Sequence, residues 1–137
     1  MRFLGGKTTD EVLRRRFDRL TSQYERGYGH WGTFEKETGR LLGAVGLLNH
    51  DDWTETPYTV EVGWLIRSDA WNRGYATEAA RASLAYAFDV LGHERIICIV
   101  DPRNAPSRRV AEKIGLDLAG ETVWRDYDCV WYEGGRT

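Results

Sequence analysis

The sequence predicts an α+β domain: a central mixed sheet, mainly antiparallel, flanked by helices. Three observations carry that prediction. Strand-like runs at Trp31–Glu35, Leu41–Leu48 and Thr59–Ile66 follow one another through short connections, which makes them antiparallel neighbours. A helical stripe then separates the third run from a fourth, Arg95–Val100, and a strand–helix–strand passage is a right-handed crossover that returns a parallel strand. Two short runs, Leu118–Trp124 and Asp128–Tyr132, close the chain as a hairpin.

The elements follow from their residues. Between 8 and 26, Val12, Leu13, Phe17, Leu20 and Tyr24 fall at helical spacing opposite Arg14, Arg15, Arg19 and Glu25. Thr8 or Thr9 caps that helix, Asp10 and Glu11 suit its first turn, and Gly27 and Gly29 end it. Lys36–Arg40 is a hairpin turn with Gly39 near its end, and Asn49–Pro57 a polar loop. Thr59–Ile66 is rich in Val, Ile and Trp, the composition of a strand. From Gly74 to about Leu91, apolar and small residues fall at 76, 79, 80, 83, 84, 87, 88 and 91, and Gly92 stops the helix. Arg95–Val100 is continuously apolar, as a strand covered on both faces should be. A second helix spans Ala105–Ile114, begun near Pro106 and closed by Gly115.

With 137 residues the chain makes one domain, 1–137, and no linker or repeat divides it. A formal net charge of −2 gives no electrostatic case for nucleic acid or an anionic membrane. The basic run Arg14–Arg16 is balanced by neighbouring acids and reads as a solvated face. No apolar run approaches the ~20 residues a membrane span requires, and the first residues lack a secretion signal's apolar core. A cytoplasmic location is therefore expected. Cys98 and Cys129 lack metal-ligand spacing and read as small apolar fillers. His30, His50 and His93 form no cluster, so no metal is expected. The six Trp and seven Tyr exceed what a core of this size needs; most should fill core and edge positions, some a substrate cleft.

The stretch from Glu61 to Ala79 organises the rest: a strand, a glycine-containing turn, then a helix. Asn72-Arg73-Gly74-Tyr75-Ala76 turns the backbone into the first helical turn. A helix N-terminus presents unpaired amides and the positive end of a macrodipole, and glycine allows close main-chain approach, so the junction suits a phosphate. Arg73 adds a positive charge. Gly74 equally serves as a plain strand-to-helix turn. The loop lacks the terminal Lys-Ser/Thr of the nucleotide-binding loop and the three spaced glycines of the dinucleotide fingerprint.

Trp71-Asn-Arg-Gly-Tyr-Ala-Thr-Glu-Ala resembles the acetyl-CoA pyrophosphate loop of the GNAT superfamily of N-acetyltransferases, nearest to the ribosomal-protein N-terminal-alanine acetyltransferase-like subgroup. Ala76 fits the superfamily pattern; Trp71 stands where a polar residue is general, a replacement usual in that subgroup. The match continues through Asp101-Pro-Arg-Asn104-Ala-Pro-Ser107 and Arg109-Val-Ala-Glu-Lys113-Ile-Gly115, covering roughly residues 40 to 120. Family members usually begin with a strand and a helical segment before the region matching Phe3. The resemblance thus implies a domain shortened at its N-terminus, with Trp31–Glu35 left as the sheet edge. That edge is expected to be covered by a second copy in a symmetric homodimer or by Met1–Lys7.

The resemblance implies transfer of an acetyl group from acetyl-CoA to a primary amine, directly in a ternary complex. It places main-chain groups of Leu65 and Ile66 beside pantetheine, where they could also polarise the thioester carbonyl. It places the Asn72, Arg73, Gly74, Tyr75, Ala76 and Thr77 amides around the pyrophosphate. Asn104 is a pantetheine ligand by resemblance and a helix cap by spacing. Ser107 is a candidate proton donor to the departing thiolate, or a first-turn cap. Glu61 alternates with Val60, Val62 and Trp64, so it faces the other way. It is a candidate base if desolvation raises its pKa, or else an ion-paired strand residue. Glu78 suits the helix dipole better than chemistry. The acceptor would be a peptide or small-molecule amine. The rival functions are a non-catalytic acyl-CoA-binding or sensor domain and, more weakly, a nucleotide-binding protein.

Overall fold

The computed structural model describes residues 30–34, 38–66 and 74–135, with only the backbone for 30–33. The helix read at 8–26, the reading of a shortened N-terminus, the start of the Lys36–Arg40 turn, and Asn72 and Arg73 lie outside these residues. The elements are β1 (His30–Phe34), β2 (Leu41–Asn49), β3 (Val60–Ile66), α1 (Tyr75–Asp89), β4 (Arg95–Val100), α2 (Ala105–Lys113), β5 (Asp117–Trp124) and β6 (Tyr127–Gly135). Every one was predicted, with ends shifted by at most three residues and β4 not at all.

The strands form a six-stranded sheet in the order β1-β2-β3-β4-β6-β5. β3 and β4 are parallel and every other neighbouring pair is antiparallel. The closing hairpin inserts its second strand: β6 pairs with β4 from Arg95↔Gly135 to Val100↔Val130, and β5 becomes the far edge. That pairing along all of β4 explains why β6 runs to Gly135, three residues past the predicted end. Its two-residue turn, Arg125-Asp126, has φ of 53° and 67°, the sign at both positions that a tight hairpin turn requires.

Alternation sorts the side chains onto two faces. Val60, Val62, Trp64 and Ile66 join Ile96, Cys98 and Val100 beneath α1 and α2, whose Ala80, Leu84, Ala87 and Ala111 bring the helices close. On the opposite face Ile97, Ile99 and Cys129 meet Trp53 and Trp124, with Tyr58 and Trp131 alongside. β3 and β4 are therefore covered on both faces, which is why their sequences are so apolar. The three indoles pack edge to face, Trp53 against Trp124 at 5.5 Å and against Trp131 at 5.4 Å. Trp53 and Trp124 are thus core residues and do not wall an open cleft.

Candidate active site

The site is built where β3 and β4 part. β2 and β3 stay in register for seven positions, Gly43↔Ile66 to Asn49↔Val60, whereas β3 and β4 share one paired position, Glu61↔Ile97. In a parallel ladder the donors recur every second residue, so the next β4 amide toward β3 belongs to Ile99. That amide donates 2.7 Å to Glu61 Oε2. The carboxylate thus stands against the β4 backbone just where main-chain pairing stops.

The other carboxylate oxygen, Oε1, lies 2.7 Å from His50 Nε2. His50 follows β2, and its amide donates 2.9 Å to the Thr59 carbonyl, carrying the hairpin register past Leu48↔Glu61. His50 and Glu61 are therefore diagonal neighbours on one face of the hairpin. Both are almost wholly buried, at 8% and 2% exposure. The Glu61 carboxyl lies below the usual carboxylate range: burial pushes it up, and the hydrogen bond and charge of His50 and the Ile99 amide are among the groups that pull it down. Of the two readings offered for Glu61, its contact with His50 is that of an ion-paired strand residue, and the raised pKa that a lone carboxylate base would need is absent.

The loop after β2 holds His50 in place. Asp52 accepts two bonds from the Arg125 guanidinium, at 2.7 and 2.8 Å, and its carbonyl accepts the Trp124 indole N–H at 3.2 Å. Trp124 in turn packs in a T-shaped contact with the His50 ring, the centroids 4.8 Å apart. Sequence reading passed over His50, because its partner is eleven residues away. The register of the β2–β3 hairpin is the signal that joins them.

On the helix-covered face, Trp64 Nε1–H donates 3.1 Å to Ser107 Oγ, linking β3 to the first turn of α2. Asn104 is the N-cap of α2, and its Oδ1 accepts the Ser107 amide at 3.2 Å. The capping role read for Asn104 is present; it leaves the Nδ2 amino group for other contacts. Ser107 is itself capped through its amide, and its hydroxyl does no capping. Both residues are buried. Glu61 and Trp64 project from opposite faces of β3, roughly 10 Å apart along the strand.

Past the far end of β3 stands the N-terminus of α1. Gly74 caps it at φ 78°, the left-handed region, with no side-chain capping bond and, among the described residues, nothing within reach of where a Cβ would stand. The first intrahelical bond is Glu78 N–H to the Gly74 carbonyl at 2.9 Å. The amides of Tyr75, Ala76 and Thr77 precede it and have no acceptor within the helix. Leu65 and Ile66 end β3, and β2 crowds them: a Cβ on Gly43 would overlap the Leu65 carbonyl. An open strand edge leading to a glycine-capped helix N-terminus is a donor set that fits a phosphate-bearing thioester.

Cys98 is fully buried, and burial, then the Glu61 charge, push its thiol well above its ordinary range; Cys129 is buried too. Among the described residues no group of three or more His, Cys, Asp or Glu is placed to hold a metal ion. None of their helices is long and apolar enough to cross a membrane.

A mixed sheet whose one parallel pair shares a single paired position, followed in the chain by a glycine-capped helix, is the architecture of an acyl-CoA acetyltransferase. The family model for the acetyltransferase (GNAT) domain matches residues 1–117, and the chain belongs to that family. It is 39% identical over 94 residues to the uncharacterized protein YkkB of Bacillus subtilis, covering 67% of this chain and 54% of YkkB. The chain spans about half the length of the curated relatives it matches. An acetyltransferase from Agrobacterium tumefaciens shares the fold with a TM-score of 0.76 and 28% identity, over 97% of this chain and 76% of that one. The ribosomal-protein-S5-alanine acetyltransferase of Vibrio fischeri shares it at 0.72 and 20% identity, over 93% and 72%.

Proposed function

We propose that the protein is an N-acetyltransferase that moves an acetyl group from acetyl-CoA to a primary amine by direct transfer in a ternary complex. One observation carries the reading: the β3–β4 divide has a buried carboxylate on one face and a serine hydroxyl on the other, and the helix after β3 opens with a glycine cap suited to phosphate. Acetyl-CoA supplies the activated acyl group and a thiolate leaving group. Main chain at Leu65 and Ile66 lies along the pantetheine and polarises the thioester carbonyl. Amides of Tyr75, Ala76 and Thr77, with Gly74 and the neighbouring Asn72 and Arg73, receive the pyrophosphate. The Nδ2 group of Asn104 donates to pantetheine.

In this reading the amine nitrogen forms a bond to the acetyl carbon as the carbon–sulfur bond breaks. Net, one proton passes from nitrogen to sulfur. The amine's proton leaves toward the His50–Glu61 pair: Glu61 orients and charge-stabilises the imidazole, as a carboxylate does in a catalytic dyad. Ser107 O–H meets the departing sulfur. The Glu61 carboxylate, below its usual range, is a weak base alone, so its part is exercised through His50. The acceptor is a peptide N-terminus or a small-molecule amine; the former is what the named substrate of the Vibrio fischeri structure suggests.

Thiol release from acetyl-CoA, measured against a panel of N-terminal peptides, lysine peptides, aminoglycosides and small amines, tests the reading. Acetylation of at least one class is expected. Tight acetyl-CoA binding with no turnover on any amine would instead favour a sensor domain.

A further inference from the structure

Ser107 is 8% exposed, and the one hydrogen bond of its Oγ among the described residues is the one it accepts from the Trp64 indole. An indole N–H can only donate, so it occupies a lone pair of the hydroxyl and leaves the hydroxyl's own proton undirected. Helical serines commonly return that proton to the carbonyl four residues back, as Ser83 does to Ala79 at 2.9 Å. Ser107 does not; the Arg103 carbonyl instead accepts the Ala105 amide at 3.0 Å. A buried O–H without an acceptor is costly, so a fold that retains one reserves it for a ligand. The Asn104 cap fixes the Ser107 backbone, and the Trp64 ring is 4% exposed within the core, so neither partner can swing away.

We propose that Trp64 is a positioning residue: its indole N–H holds the Ser107 hydroxyl with the proton turned away from the core, toward the sulfur of coenzyme A. The inference rests on the acetyltransferase reading above. Full proton transfer from a serine to a thiolate is uphill, so the hydroxyl acts by hydrogen-bonding the negative sulfur as the carbon–sulfur bond opens. Accepting the indole bond also polarises the O–H and makes it a better donor.

The probes are free coenzyme A and desulfo-coenzyme A, which lacks the thiol, with affinities measured by calorimetry. Above the thiol's pKa, where coenzyme A carries a thiolate, the wild type should prefer coenzyme A about tenfold, the worth of one charge-assisted hydrogen bond. Ser107→Ala and Trp64→Phe should each remove most of that preference, and the double variant should lose no more than either alone. On any amine that is turned over, both single variants should lower kcat with little change in the KM for acetyl-CoA. If Trp64→Phe does not fold, the Trp64 indole ¹⁵N–¹H resonance of the wild type, assigned through its shift in Ser107→Ala, replaces it. That resonance should move with coenzyme A and not with the desulfo analogue. No binding of coenzyme A at all overturns the acetyltransferase reading itself. Binding without preference for the thiol, or a preference that Ser107→Ala leaves intact, removes Ser107. A preference lost in Ser107→Ala but kept in Trp64→Phe, or an indole resonance blind to the thiol, overturns the role of Trp64 alone.

Discussion

Glu61 has two separable duties, and substitution can divide them. Its Oε2 accepts the Ile99 amide and its Oε1 meets His50, both at 2.7 Å. Glu61→Gln keeps the shape and an acceptor for the amide but removes the charge behind the imidazole. It should fold normally and lose roughly 10²-fold in kcat, the usual worth of acid–base assistance. Glu61→Ala also strands a buried N–H and should cost about 3 kcal/mol of stability, read by chemical denaturation. Equal activity in Glu61→Gln and the wild type would remove the base role. Asp52 offers a smaller, pH-dependent effect. The Arg125 hydrogen bond holds its carboxyl below the ordinary 3.8. Its stabilisation is therefore complete above the unfolded value and lost as pH falls through the lower folded one. Both partners are about half exposed, so the worth is only about 0.5 kcal/mol. The Tm difference between the wild type and Asp52→Ala should be small at pH 7 and vanish near pH 2.

At the scale of elements, two glycines shape the cofactor side. Gly43 on β2 lies under the Leu65 carbonyl and Ile66, the end of β3 that is proposed to face pantetheine. Gly43→Ala must push that end outward, and overpacking of this kind costs about 1–3 kcal/mol. A drop in Tm with a matching loss of coenzyme A affinity is expected. Gly74 is the reverse case: a side chain there has room, but a β-branched residue resists φ 78°. Gly74→Val should therefore fold with altered entry into α1 and lose coenzyme A affinity by calorimetry. Unchanged affinity in a folded Gly74→Val protein would mean that the pyrophosphate lies elsewhere.

For the molecule as a whole, the sheet makes both cysteines part of the interior. Cys98 lies on β4 between the two cores, its thiol held protonated by burial and by the charge of Glu61. A covalent acetyl-cysteine step has no nucleophile available in either residue, in keeping with direct transfer. The native protein should resist alkylation at Cys98 and Cys129 and react only on unfolding. Acetylated cysteine trapped on the route to product would refute direct transfer. β1 is an end strand of the described sheet, and its outward amides call for partners. Slow hydrogen exchange at 30–34, with a dimer mass by light scattering, is the result expected if a second copy supplies them.

Much of this was legible in the sequence because it depends on local periodicity. Alternating apolar residues fixed the strands, the stripe from 76 to 91 fixed α1, and the crossover rule made β3 and β4 parallel. Leu65 and Ile66 were readable as a strand end and Gly74, Tyr75, Ala76 and Thr77 as a helix start, since each depends on contiguous residues. What the sequence withheld are contacts between distant residues. That β6 inserts between β4 and β5 depends on which strand edge remains open after β4 forms. The His50–Glu61 pair requires the hairpin register, and the Trp64–Ser107 bond spans forty-three positions. Sequence by itself determined the described elements and their order, because each is set by neighbours along the chain. Only the tertiary structure decided the partners of Glu61 and of the Ser107 hydroxyl, because both are met by groups that folding alone brings within hydrogen-bond reach.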